Sequence, residues 1–221
     1  MIATTHVTYL FDPLCGWCYG AAAAFEKLVA RPDLVIHLAP TGLFAGVGAR
    51  PMDDGFAAHA WSNDQRISHL SGQPFSEVYQ RDVLGDRTRL LDSGPATLAL
   101  TAVAVTAPDR EFEALKAIQQ ARYVDGRDIT DVSVLCDVLR VLGVRKAAEC
   151  LATPDDDLIA AYRKRIEAAR EVMHRFGADG VPALIAGVGE SRRLLAGNAL
   201  FGSHDVLVAR LKGLSVQSPS T

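Results

Sequence analysis

The sequence predicts an α/β fold in which a large all-helical segment interrupts a small β-sheet. Three observations lead there. Two strand-like runs flank a helical stretch within the first forty residues, the periodicity from Gly55 to Gly177 is helical with no convincing strand, and strand-like patterning returns only at Val181. The expected organisation is residues 1–50 and 178–221 as one sheet-bearing domain, with 51–177 inserted as a helical subdomain. A chain of 221 residues, 49% hydrophobic and 22% charged, is long enough for one large core carrying such an insertion.

The first strand is Val7-Thr8-Tyr9-Leu10-Phe11, and the tetrapeptide Cys15-Gly16-Trp17-Cys18 follows it directly. That tetrapeptide opens a helix, because Ala21, Ala24, Phe25 and Leu28 recur at i, i+3, i+4 and i+7. Arg31-Pro32-Asp33 ends the helix, and Leu34 to Ala39 reads as a buried strand parallel to the first. Residues 40–55, rich in glycine and proline, form a long connection away from the sheet.

The helical block is punctuated by start and stop signals. Ser93-Gly94-Pro95 precedes a helix running to Ala107, and Pro108-Asp109 begins the next, with Phe112, Leu115 and Ile118 at helical spacing before Gly126. Thr130-Asp131 opens a helix whose face of Val134, Leu135, Val138, Leu139 and Leu142 stops at Gly143. Thr153-Pro154-Asp155-Asp156-Asp157 predicts a capping Thr153, Pro154 at the first helical position and acids in the first turn. The helix it starts keeps Leu158, Tyr162, Ile166, Ala169, Met173 and Phe176 on one face.

Val181-Pro182-Ala183-Leu184-Ile185-Ala186, a turn at Gly187 to Gly189, and Arg192 to Leu195 then read as an antiparallel hairpin. Pro182 has no N–H for a ladder and therefore belongs at a strand end or an edge. A last helix spans about His204 to Lys212, and Gln217 to Thr221 is a frayed tail.

The Cys15–Cys18 pair carries the chemistry. A thiolate is the attacking species in disulfide exchange, and a helix start offers unpaired N–H groups that favour a negative sulfur. Two intervening residues bring the second sulfur back to disulfide range. Zinc is the rival, but a tetrahedral site needs about four ligands. No second C-x-x-C or C-x-x-H exists, Cys136 and Cys150 stand apart, and the histidines are scattered at positions 6, 37, 59, 69, 174 and 204. No metal is expected.

The formal net charge of −3 and the absence of a Lys/Arg block speak against nucleic acid. The longest apolar run, Ala96 to Ala107, is far short of the roughly 18 residues of a spanning helix, so no membrane partner is expected. Residues 1–11 show no basic segment, apolar run or cleavage site of an export signal, which makes the cytoplasm the default compartment.

The order strand, C-x-x-C helix, strand, helical insertion and Gly180-Val181-Pro182-Ala183 resembles the DsbA-like branch of the thioredoxin superfamily over nearly the whole chain. Phe11-Asp12-Pro13-Leu14-Cys15-Gly16-Trp17-Cys18-Tyr19-Gly20 is similar to bacterial proteins described as predicted protein-disulfide isomerases, and Ile118 to Asp128 is similar to a second segment of that group. The resemblance implies a thioredoxin-like fold with an inserted helical subdomain and a thiol-disulfide oxidoreductase. Cys15 would be the exposed nucleophile and Cys18 the buried resolving thiol. Gly16, Trp17, Val181 and a cis Pro182 would meet the substrate, a protein or peptide disulfide or thiol. No resident cofactor is implied, with glutathione as a candidate redox co-substrate. A buried carboxylate common in such enzymes six residues before the first cysteine is here Tyr9; Asp12 either substitutes for it or forms an Asx turn.

Two other functions fit the same residues. Kappa-type glutathione transferases and isomerases share the fold, and Phe201-Gly202-Ser203-His204-Asp205 loosely resembles their glutathione-holding segment, although Ser203 is equally a plain helix cap. A non-catalytic peptide-binding module is the third reading.

Overall fold

The first strand forms where β-branched and aromatic side chains sort themselves to opposite faces. In β1 (Thr5–Phe11), Val7, Tyr9 and Phe11 join the main core, while Leu10 points to a smaller cluster on the other face of the sheet. A computed structural model of the chain describes residues 4–213. The expected tail from Gln217 to Thr221 lies outside the described residues.

Helix α1 (Gly16–Val29) packs Phe25 on Tyr9, ring centroids 4.0 Å apart, and returns the chain to β2 (Leu34–Pro40), which runs parallel to β1. The chain then leaves the sheet through β3 (Arg50–Pro51), α2 (Asp54–Ser71) and α3 (Glu77–Tyr79), which widens into a looser turn as far as Leu84. β4 (Leu90–Leu91), α4 (Gly94–Thr106), α5 (Glu111–Tyr123), α6 (Val132–Val141), α7 (Arg145–Ala152) and α8 (Asp156–Phe176) follow. β5 (Ala183–Ala186) and β6 (Arg193–Ala196) form an antiparallel hairpin, and α9 (His204–Leu211) closes the described chain. β5 also pairs antiparallel with β1, which sets the sheet order β2-β1-β5-β6.

Helices cover both faces of this sheet. α1 covers the face of Tyr9 and Phe11; α8 covers the other, where Ala169, Val172 and Met173 meet Leu10, Ala183 and Ile185. Arg165 of α8 makes a half-buried ion pair with Glu111 of α5 and donates to the Leu38 carbonyl at 3.3 Å. Arg170 donates to the carbonyls of Thr41 and Gly42. Two guanidinium forks thus fasten α8 across the point where the chain departs from β2.

Two expectations need correction. The helical stretch does contain strand: Leu90 and Leu91 pair with Pro51 and Arg50, a ladder too short for alternation to register in sequence. The cap of α8 is Asp155, whose carboxylate accepts from the Leu158 N–H at 2.8 Å. Thr153 instead turns its hydroxyl back to the Glu149 carbonyl, finishing α7, and Pro154 precedes the cap. A carboxylate two residues closer to the free N–H groups outcompetes the hydroxyl. At the far end Gly177 takes φ +64, the left-handed geometry that terminates α8 without a side-chain clash.

Candidate active site

The turn between β1 and α1 is organised by Asp12, which is fully buried. Its Oδ1 accepts from the Leu14 N–H at 2.8 Å, and its carbonyl accepts from the Cys15 N–H at 3.1 Å. Oδ2 accepts from the Ser93 hydroxyl at 2.7 Å and the Phe44 N–H at 3.3 Å. The Asx turn is therefore real, and the same side chain binds three segments together. Burial pushes its carboxyl up, while Ser93 and the amides of Leu14 and Phe44 pull it back.

Cys15 occupies the N-cap of α1 in extended geometry, with no acidic side chain in the first turn. Its Sγ donates to the Val181 carbonyl at 3.4 Å. The two segments expected to meet do meet, across 166 residues of chain. The expectation of an exposed Cys15 is corrected: the residue is only 7% exposed, because the Val181 backbone and the walls of an adjoining cavity cover it. Cys18, one turn further in, is 1% exposed. Its thiol is pushed well up by burial and by the adjacent Cys15, with the Asp12 N–H opposing.

Tyr9 lies below Cys18 and donates to its carbonyl at 3.5 Å. Burial, reinforced by Cys18 and Cys15, holds its phenol well above the ordinary range, so it stays neutral. Tyr19 donates to the Pro74 carbonyl at 3.0 Å and stacks on Tyr123; burial pushes it up to about 12.

Trp17 is half-buried, edge-on to Phe201 at 5.3 Å, with the Arg66 guanidinium 5.7 Å from its ring. The ring stands between two cavities. One, of about 440 Å³, runs along Val181 and Pro182 to Leu194, Phe201 and Arg66. The Val181–Pro182 peptide bond is cis, and Pro182 directly precedes β5. The other, of about 210 Å³, is lined by Cys15, Gly16, Asp64, Tyr79, Arg122 and Tyr123 among others. Gly16 faces this second cavity: a Cβ there would come within 2.5 Å of Asp64 Oδ1.

Sequence reasoning missed Asp64, Tyr79 and Ser93, and gave Arg122 and Tyr123 no role. Asp64 had a readable signal, since it interrupts the α2 face formed by Ala57, Ala60 and Ile67. Arg122 is buried, with Nε unpartnered and its guanidinium 5.5 Å and 5.6 Å from the rings of Tyr79 and Tyr123. Tyr123 donates to the Leu14 carbonyl at 2.8 Å, tying α5 to the residue before Cys15.

The remaining candidates lie elsewhere. Cys136 is buried and donates to the Ala148 carbonyl at 3.4 Å, Cys150 is half-buried, and all four cysteines are unpaired. Ser203 caps α9 by position, without a side-chain hydrogen bond. Among the described residues no cluster of three or more His, Cys, Asp or Glu could hold a metal, and no helix is long and apolar enough to cross a membrane.

The DSBA-like thioredoxin domain family matches residues 6–209. The cytosolic disulfide reductase DsbM from Pseudomonas aeruginosa is similar at 30% identity and TM-score 0.81, over 94% of this chain and 97% of that chain. A structure of the same reductase with GSH aligns at 29% identity and TM-score 0.77, over 94% and 98% of the two chains. A Nitrosomonas europaea protein at 22% identity and TM-score 0.77, over 95% and 96%, shares the fold. No curated protein matches.

Proposed function

The chain belongs to the DSBA-like thioredoxin domain family, and from that membership and the dithiol geometry we propose that it reduces disulfides through Cys15 and Cys18, with Cys15 as nucleophile. The observation that carries this reading is the Cys15 Sγ at the start of α1, 3.4 Å from the Val181 carbonyl, with Cys18 buried one turn behind it. The Cys15 thiolate attacks a substrate disulfide, forming the Cys15–substrate disulfide and releasing one substrate thiolate. Cys18, deprotonated, then attacks the Cys15 sulfur, which frees the second substrate thiolate and leaves the Cys15–Cys18 disulfide. Two molecules of a small thiol restore the dithiol and leave as its disulfide. Glutathione suits that step, and the 29% identical reductase is described with GSH.

Val181 forms the platform. An extended peptide or glutathione laid along its backbone brings a sulfur to Cys15, and the cavity of about 440 Å³ beside Val181 and Pro182 receives an apolar side chain. Trp17 forms the opposite lip of that cavity, and Gly16 beside it keeps the approach to Cys15 free of a side chain. Gly-Trp places no cation between the cysteines, so nothing there favours the strong thiolate stabilisation that makes a powerful oxidant. The reductase sharing 30% identity is described as cytosolic, which supports work in a reducing compartment. The exchange balances with thiols alone and calls for no metal or resident cofactor.

Insulin reduction with glutathione as donor tests the reading. Cys15→Ser is expected to lower the rate by about 10²-fold or more, and Cys18→Ser to accumulate a mixed disulfide at Cys15. A Cys15→Ser protein as fast as the parent overturns it.

A further inference from the structure

Asp64 belongs to α2, on the face that packs against α1, and is 4% exposed. Its Oδ2 accepts from the Tyr79 hydroxyl at 2.9 Å. Its Oδ1 lies against Gly16, the residue next to Cys15, where only the lack of a Cβ leaves it room. Carboxyl and thiol line the same cavity of about 210 Å³, large enough to hold water between them. Arg122 is the cation of this cavity and draws the carboxyl down by its charge, yet among the described residues it forms no ion pair with Asp64. A buried carboxyl with one hydrogen bond and no paired cation is not part of the exchange steps derived above.

We propose that Asp64 sets the reactivity of Cys15: its negative charge opposes the Cys15 thiolate across Gly16, and its protonation relieves that opposition. The proposal rests on Cys15 being the nucleophile and adds the group that tunes it; Asp64 is a positioning residue. Like charges lining one partly buried cavity oppose each other more strongly than they would in open water. Burial pushes Asp64 up to about 7, with Tyr79 and Arg122 pulling down, so its charge changes within the working range of a thiol enzyme. Above that point the ionised carboxylate disfavours the thiolate and therefore favours the dithiol as a reductant.

The titratable and charged groups that share the cavity with Asp64 are Cys15 at the start of α1, Tyr79 from α3, Arg122 and Tyr123 from α5, and His59 on α2 itself. His59 is engaged with Asn63 at 2.9 Å. It is the histidine of the cavity and supplies the control.

The test is the rate of Cys15 alkylation by iodoacetamide, read at the Cys15 peptide, in a Cys18→Ser background from about pH 5 to about pH 9. The ratio of Asp64→Asn to parent is expected to be near unity at the acid end, to reach about three- to tenfold once the carboxylate is ionised, and to fall back where Cys15 is thiolate in both proteins. A ratio near unity throughout overturns the proposal. Tyr79→Phe removes a hydrogen bond that holds the carboxyl down, so the parent's inflection moves to higher pH; an unmoved inflection also overturns it. The inflection persists in His59→Gln, and its loss there would assign it to His59 instead. Alkylation needs no disulfide substrate, so failure of insulin reduction and failure of the Asp64 coupling are separate results.

Discussion

A carboxyl held near neutrality inside a protein links stability to pH. Asp64 has an ordinary value of 3.8 and sits at about 7 in the fold. Between those values the folded state binds a proton that the unfolded state has released, so stability falls as pH rises from about 4 to about 7 and is level on either side. The span corresponds to a loss on the order of 4 kcal/mol. Asp64→Asn is expected to remove that slope, read as urea midpoints on either side of the window. At this scale the meeting of Cys15 with Val181 and the cis bond before Pro182 were legible, because both belong to short motifs. Asp12 was legible as a turn residue, but its bond to Ser93 joins positions 81 residues apart and needs the fold to be seen. Tyr79 was hidden for the same reason, and Asp64 was readable only as a break in the apolar face of α2, because its neighbours Gly16 and Tyr79 come to it only once α2 and α3 are folded over the start of α1.

Elements meet where small residues permit it. Gly16 and Gly20, one turn apart, let α2 lie close on α1; a Cβ at Gly20 would fall 2.3 Å from Ile67 Cγ2 and 3.2 Å from the Phe201 ring. Alanine in a helix interior is favoured over glycine by about 1 kcal/mol, but overpacking costs about 1–3 kcal/mol. The clash should win. Gly20→Ala is expected to destabilise by up to about 2 kcal/mol in urea unfolding, and adding Ile67→Ala should cost less than the sum of the two single changes. Most helices and all four strands of the main sheet were readable from periodicity and glycine or proline stops. The two-residue ladder of β3 and β4 was not, since two residues carry no period, and the Thr153 cap was misplaced because three acids follow it and only geometry chooses among them.

One apolar cluster runs without a break from Tyr9 and Phe11 on the sheet, through Phe25 of α1 and Leu100 of α4, to Leu139 of α6 and Leu151 of α7. The Asp12–Ser93 hydrogen bond adds a polar tie between the end of β1 and the start of α4. A shared core predicts cooperative unfolding even though the helices are inserted into the sheet topology. Far-UV circular dichroism, which reports the helices, and Trp fluorescence are expected to give coincident urea transitions; separated midpoints would show that the helical block melts alone. The pairing of Cys15 with the Val181 carbonyl spans 166 residues. A ribosome therefore releases the Cys15 sulfur long before it makes the carbonyl that receives it, and the nascent chain carries that thiol uncovered for most of its synthesis.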